Sequence, residues 1–513
     1  MSGEPSPAPV PGLSRRLLLR SAATLAGAAV AGPLLTGCES SGAKGPGTTS
    51  QGDLAKVVPS YLPNTAVKPD IPSVVGPHGA VSDPGFLAYP ASPVRTVAAV
   101  PGKGGTYTTM TPLWGSIPPS AGNGYYDAVN KALGATLKIQ PADGNNYGDT
   151  LPPLFAADKL PDWLQIPGWN TANLDFGRAV EAKFADLTPY LAGDKVKDYP
   201  NLANVPTGAW TCGVWNGKLY GIPVYPSGAV VNGAYFYRAD VFDQMGIKAA
   251  DIATTADLEA LAAQLTSATA GVWAFDDLFG TDAAYISQLF HFPNKWGLDD
   301  NGKLIHKYES PGIVEALNWH AKLVKAGYVH PDAVAANNQN GKQRFWSGKS
   351  IVCADGTGAW NGDDAKSGTA ANPSYRRLAF NLFSSDAAKA PTIELGNGAA
   401  MFSYLNKKLS PDQIRECLAI ANFIAAPYGS AEYLLVNFGA EGVEYTLDGG
   451  NPVLTGTGSK EVATTFQFLA GPPSPNTVTS GFVQVTKDYC AWQAEMVKLA
   501  VKPVFYGMNV TEP

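Results

Sequence analysis

Residues 106–166 read TYTTMTPLWGSIPPSAGNGYYDAVNKALGATLKIQPADGNNYGDTLPPLFAADKLPDWLQI. Thr106 to Trp114 alternates in the manner of a half-buried strand, and in the stretch from Tyr125 to Leu133 the residues Tyr126, Val129 and Leu133 fall on one helical face. Ala135 to Gln140 is a second strand, and Leu151 to Ala157 reads as a short helix with Pro early in it. After the turn Leu160-Pro161-Asp162, the run Trp163 to Ile166 is a third strand. Strands separated by crossovers long enough to hold a helix predict a parallel sheet covered by helices, an α/β fold.

Helix signals continue downstream. Thr254 with Asp257 three residues on makes a capping box ahead of Leu258, Leu261 and Leu265. Ser410-Pro411-Asp412-Gln413 supplies an N-cap, a Pro in the first turn and a Gln at N3. Ile313 to Lys325 is read as amphipathic, with Ile313, Leu317 and Val324 on its apolar side. Asp300-Asn301-Gly302 lies between two apolar runs and predicts a hairpin turn. A calcium loop at Asp299 lacks the later acidic ligand such a loop uses. No internal repeat is visible, and 513 residues exceed what one core supports, so two lobes are expected.

The N-terminal region has a different character. Ser14-Arg15-Arg16-Leu17-Leu18-Leu19-Arg20 precedes an apolar, small-residue stretch from Ser21 to Leu35, too short for a permanent membrane span. The pair Arg15 and Arg16 resembles a twin-arginine export signal, with general export as the alternative. Leu35-Thr36-Gly37-Cys38 resembles the lipobox of bacterial lipoproteins, which implies that the Cys38 thiol receives a diacylglycerol and that residues 1–38 are a signal peptide. Residues 39–104, Ser/Gly-rich and then Pro-rich, read as a tether and an extended wrap.

Charge and composition narrow the function. A net charge of −6, with no basic run outside the signal, argues against nucleic acid as a partner. The five His (78, 291, 306, 320, 330) show no metal-ligand spacing, so no zinc or haem and no other cofactor is expected. Cys212, Cys353, Cys417 and Cys490 are scattered and read equally well as buried thiols or as disulfide partners.

Five stretches carry a family resemblance. They are Tyr126 to Pro161; Leu219-Tyr220-Gly221-Ile222-Pro223 with Tyr235 to Asp240 and Met245-Gly246-Ile247; and Gly297 to Gly302 with Ala326 to Asp332. Phe345 to Ser350 with Gly356 to Trp360, and Phe438 to Thr446, complete the set. In this order they resemble the extracellular solute-binding proteins of ABC importers, of the type that carries carbohydrates. The resemblance implies a two-lobed periplasmic-binding-protein-like fold with discontinuous lobes, a ligand cleft and a hinge. Residues 105–223 plus about 392–440 would form lobe 1, and 224–391 plus about 441–513 lobe 2. Crossings would lie at Ile222 to Val231, at Thr392 to Asn397 and within 430–455. It further implies a monomer on the outer face of the bacterial membrane, held by its lipid and serving permease subunits.

A sugar cleft needs aromatic faces for C–H surfaces beside polar groups for hydroxyls. Loops at strand ends offer Trp114, Trp169 with Asn170, Tyr225, Trp273 with Asp277, Trp360 with Asn361, and Glu441. Trp169 and Trp360, flanked by Gly and Asn rather than set in apolar runs, are the leading stacking candidates, whereas Trp319 within its helix is read as structural. The competing function is a secreted, lipid-anchored glycoside hydrolase or lyase, which needs two carboxylates across a sugar bond. No nucleophile elbow, zinc-protease helix or phosphate loop is present in the sequence.

Overall fold

The computed structural model describes residues 49, 51–114, 116–228, 233–279, 284–299, 301–336, 340–360, 364–477, 482–504 and 506–508. Arg15, Arg16, Cys38 and Asn361 lie outside the described residues. From residue 51 the chain is already on the body: the short helix Gln51–Val57 buries Leu54 and Val57 in a core. The segment from there to residue 104 runs as an extended strap over the surface, tied to the body by isolated bridges such as Pro59 to Gly193 and Val94 to Ser430.

The first regular elements follow the predicted order: β1 (Thr106–Leu113), α1 (Gly124–Leu133), β2 (Thr136–Asp143), α2 (Tyr147–Ala156) and β3 (Trp163–Pro167). Asn123 caps α1 by accepting the Tyr126 N–H, and Gly134, with φ of 64°, ends it. α2 starts four residues earlier than its pattern predicts, so Pro152 and Pro153 lie inside it. Tertiary contact decides that start, because the Tyr147 ring is buried and its hydroxyl donates to the Gln165 carbonyl at 2.8 Å.

Next come β4 (Gly221–Val224), β5 (Gly233–Arg238), α3 (Thr255–Leu265), β6 (Trp273–Phe275), β7 (Trp296–Leu298), β8 (Leu304–His306) and α4 (Pro311–Lys325). β9 (Ser350–Gly356), β10 (Arg377–Ala379), β11 (Met401–Leu405), α5 (Pro411–Ile424), α6 (Ala431–Phe438) and α7 (Val483–Met496) complete the main frame. Both capping boxes form as predicted, at Thr254 and Ser410. The β7–β8 hairpin also forms, and the Asp299 carboxylate accepts the N–H groups of Asn301 and Lys303 in its turn. α4 buries Gly312, Ala316, Trp319 and Leu323, and Ile313 and Val324 pack half-buried against the same core as predicted, while Leu317 is exposed. The helix approaches closely at its start, where a Cβ at Gly312 would collide with the Phe290 carbonyl.

Two sheets build two lobes. The first has the order β2-β1-β3-β11-β4, with β2 and β3 parallel to β1 and β11 antiparallel to both its neighbours. The second has the order β10-β5-β9-β6. Each carries its own apolar core, one around Trp163, Trp210, Trp215 and Phe466, the other around Phe236, Phe275, Trp319 and Trp360.

The chain passes between the two sheets from β4 to β5 and again between β10 and β11. The last passage differs. Phe466, Leu469 and Ala470 sit in the first core and Trp492 in the second, so the crossing falls within 471–482 rather than 430–455, and residues up to 470 go with lobe 1. Phe466 is held there edge-on to Tyr125 and Tyr126, at 5.6 and 5.9 Å between ring centroids. Among the described residues no helix is long and apolar enough to cross a membrane. Cys353 and Cys417 are free thiols, and burial pushes both upward from the usual thiol pKa.

Candidate functional site

The register of the first sheet gathers aromatic side chains at one end. β1 and β3 run parallel, so their C-terminal ends lie side by side, and β11 begins beside both Pro167 of β3 and Val224 of β4. Trp114 follows β1, Trp169 follows β3 and Tyr225 follows β4. Strand direction alone therefore brings together three of the residues singled out in the sequence.

Their geometry is that of a platform. Trp114 is 44% and Trp169 60% exposed, with ring centroids 6.2 Å apart. Phe468, buried, packs edge-on against Trp114 at 5.7 Å and against Tyr225 at 5.5 Å. It wedges between the two exposed rings and fixes their orientation. Sequence reading missed it, because nothing in FQFLA indicates that 463–470 folds back onto the first sheet. Trp114 rests on Gly144, where a Cβ would stand 2.5 Å from the indole; the absent side chain makes room for the ring.

Tyr225 adopts φ of 49°, a left-handed conformation costly for a residue with a bulky side chain. Burial raises its hydroxyl pKa despite an opposing hydrogen bond with Thr464, so it remains a neutral O–H group. Asn170 is buried beside Trp169, and its Oδ1 has no hydrogen-bond partner. That leaves a buried amide oxygen with unused hydrogen-bonding capacity close to the exposed rings.

The candidates from the second lobe fare differently. Trp360 is 2% exposed: its ring meets Phe236 at 5.5 Å, Tyr489 at 5.3 Å and Trp492 at 5.9 Å, and its Nε1 donates to the Arg377 carbonyl. It is a core residue and offers no stacking face, because α7 from the far end of the chain covers it. Trp273 stands where β6 pairs with Ser350, the end of the second sheet away from Gly233 and the crossing, and packs on His330. It too is removed from a cleft position.

Asp277 does follow β6 on the crossing side, with its carboxylate accepting the Phe279 N–H at 2.9 Å. Its neighbour Asp276 is buried and structural. Burial alone would raise its pKa, but hydrogen bonds from Arg344 and Ser350, all 2.7 Å long, hold the carboxyl below its usual range. Glu441 sits in an exposed turn closing on Tyr445. Tyr445 clusters with Phe86, Tyr89 and Tyr428 beneath the strap and not with the platform. Among the described residues no group of three or more His, Cys, Asp or Glu is placed to hold a metal.

Comparison with known proteins agrees with this architecture. A model of the bacterial extracellular solute-binding protein family matches residues 124–435. The lipoprotein LipO of Bacillus subtilis (strain 168) is 25% identical over 276 residues, 51% of this chain and 52% of LipO, so the match spans about half the length of each. Among solved structures, an HMO-binding ABC-transporter-associated solute-binding protein from Bifidobacterium longum infantis aligns with a TM-score of 0.56 at 13% identity, covering 77% of this chain and 83% of that one. The N-glycan transport solute-binding protein NgtS of Streptococcus pneumoniae aligns with a TM-score of 0.52 at 17% identity, covering 79% and 85%. At such identities the likeness speaks for the two-lobed fold alone. With a family match covering more than half of its residues, the chain belongs to the bacterial extracellular solute-binding proteins.

Proposed function

We propose that this protein captures an oligosaccharide between its lobes and delivers it to the permease of an ABC importer. The observation that carries this reading is the platform. Three Trp are exposed among the described residues, and two of them, Trp114 and Trp169, lie side by side at the strand ends next to the interlobe crossings. Sugar C–H faces stack on such rings, while the Tyr225 hydroxyl and Asn170 amide supply polar partners for hydroxyls. The two similar structures, named for HMO binding and N-glycan transport, support the same ligand class.

The platform binds without catalysing, so the glycoside hydrolase alternative predicts turnover that this reading does not. Incubating the purified protein with oligosaccharides, with thermal shift as the binding readout and product analysis for cleavage, tests both. A stabilising sugar recovered intact supports the reading; cleavage, or the absence of any stabilising saccharide, overturns it.

Export through Arg15 and Arg16 and lipidation at Cys38 belong to the same proposal, supported by the lipoprotein relative. Cys38→Ser should abolish lipid labelling and release the protein from the cell surface.

A further inference from the structure

The strap is fastened to the first lobe at both ends. Ser60 and Leu62 N–H donate to the carbonyls of Gly193 and Ala203, at 3.0 and 2.8 Å. At the other end Val94 N–H donates to Gly429, and Thr96 and Val97 N–H donate to the Glu432 carboxylate, each at 3.0 Å. Its middle, residues 74–86, does something else: it touches every passage between the lobes.

Val81 N–H donates to the Gly228 carbonyl of the first passage at 3.1 Å. Ala80 packs in one small apolar cluster with Leu395 of the second passage and with Val497 and Ala500, just beyond α7. Gly85 and Phe86 pair in parallel with Asn476 and Thr477 of the third. Asp83 joins these parts. Its N–H donates to Gln493 Oε1 at 2.9 Å, and its carboxylate accepts Gln493 Nε2 at 3.0 Å and the Ser227 hydroxyl at 3.3 Å. Gln493 belongs to α7, whose Trp492 and Met496 lie in the core of the second lobe. Beside these contacts lies a cleft of about 310 Å³, lined by Tyr61, Pro63, Val81, Pro206, Gly228 and Pro473.

From this geometry we propose that residues 74–86 are a clamp across the hinge, limiting how far the lobes swing apart when no ligand is bound. A hinge made of passing segments bends freely if those segments are free to shear past one another. The clamp ties the first passage to α7 through Asp83, so rotation that carries α7 away from Ser227 must break the reciprocal Asp83–Gln493 pair. Being pinned to lobe 1 at both ends, the strap cannot follow lobe 2. The proposal rests on the two-lobed, hinge-closing reading but on no particular ligand.

Small-angle X-ray scattering of the ligand-free protein tests it. Gln493→Leu removes both bonds to Asp83, and Gly76→Ala places a methyl against the Val497 carbonyl, lifting the strap by a different route. Ser227→Ala is the mild third variant. Each variant is checked for an intact fold by circular dichroism and melting. The expected result is a shift to larger radius of gyration and maximum dimension for Gln493→Leu and Gly76→Ala, with a smaller shift in the same direction for Ser227→Ala. Folded variants that scatter like the wild type overturn the clamp. Should the stronger two fail to fold, Ser227→Ala decides alone, an unchanged profile counting against it. A missing saccharide ligand has no bearing on this outcome.

Discussion

Trp169 and Trp360 look alike in sequence, each in a short loop after a strand with Gly and Asn beside it, and they end in opposite environments. Trp169 is 60% exposed and shares a platform with Trp114; Trp360 is 2% exposed and encircled by Phe236, Tyr489 and Trp492. Local polarity near an aromatic residue tells that the backbone turns there. It does not tell whether a distant helix will close over the ring, and α7, more than 120 residues on, does so for Trp360 alone. The difference places one Trp in the core and leaves the other free to serve the recognition proposed above.

The largest effect that tests this contrast is on Trp360. Trp360→Ala should lower unfolding stability by about 3–5 kcal/mol through lost burial and a residual cavity, read by urea denaturation. Were it instead to abolish sugar binding at unchanged stability, the contrast would fail. The strap provides a second, pH-dependent comparison. Burial raises the Asp83 carboxyl to about 6 from an ordinary value of 3.8. The folded protein therefore keeps a proton there that the unfolded chain releases, and stability declines as pH rises from about 4 to 6. Asp83→Asn should flatten melting temperature against pH across that window.

On the recognition side, Trp169→Ala should weaken binding of a saccharide found in the screen by about 2 kcal/mol, or ~30-fold, while leaving stability nearly unchanged. Calorimetric titration measures this directly, and unaltered affinity would remove Trp169 from the platform. Gly144→Ala crowds the Trp114 indole and should cost about 1 kcal/mol, or ~5-fold, in the same titration. Glu441→Gln should change affinity by no more than about twofold, as its turn lies with the strap cluster and not with the platform. A large loss there would require the site to be redrawn.

Local chemistry was readable without any coordinates. The capping boxes at Thr254 and Ser410 and the hairpin between Leu298 and Leu304 depend on contacts a few residues long and form as their patterns require, and the strand–helix order over 106–166 holds although the start of α2 does not. Even the gathering of Trp114, Trp169 and Tyr225 was legible, because parallel strands in one sheet necessarily bring their C-terminal ends together. Tertiary structure alone decided the rest. Burial of Trp360, the close approach of α4 at Gly312, the return of Phe468 to the first lobe and the strap across the hinge all depend on meetings of residues far apart in the chain. No local pattern records them, since apolar segments satisfy either core equally well and the choice rests on shape and close approach. The sequence by itself determined that aromatic rings stand at strand ends; packing determined which of them remain open to a ligand.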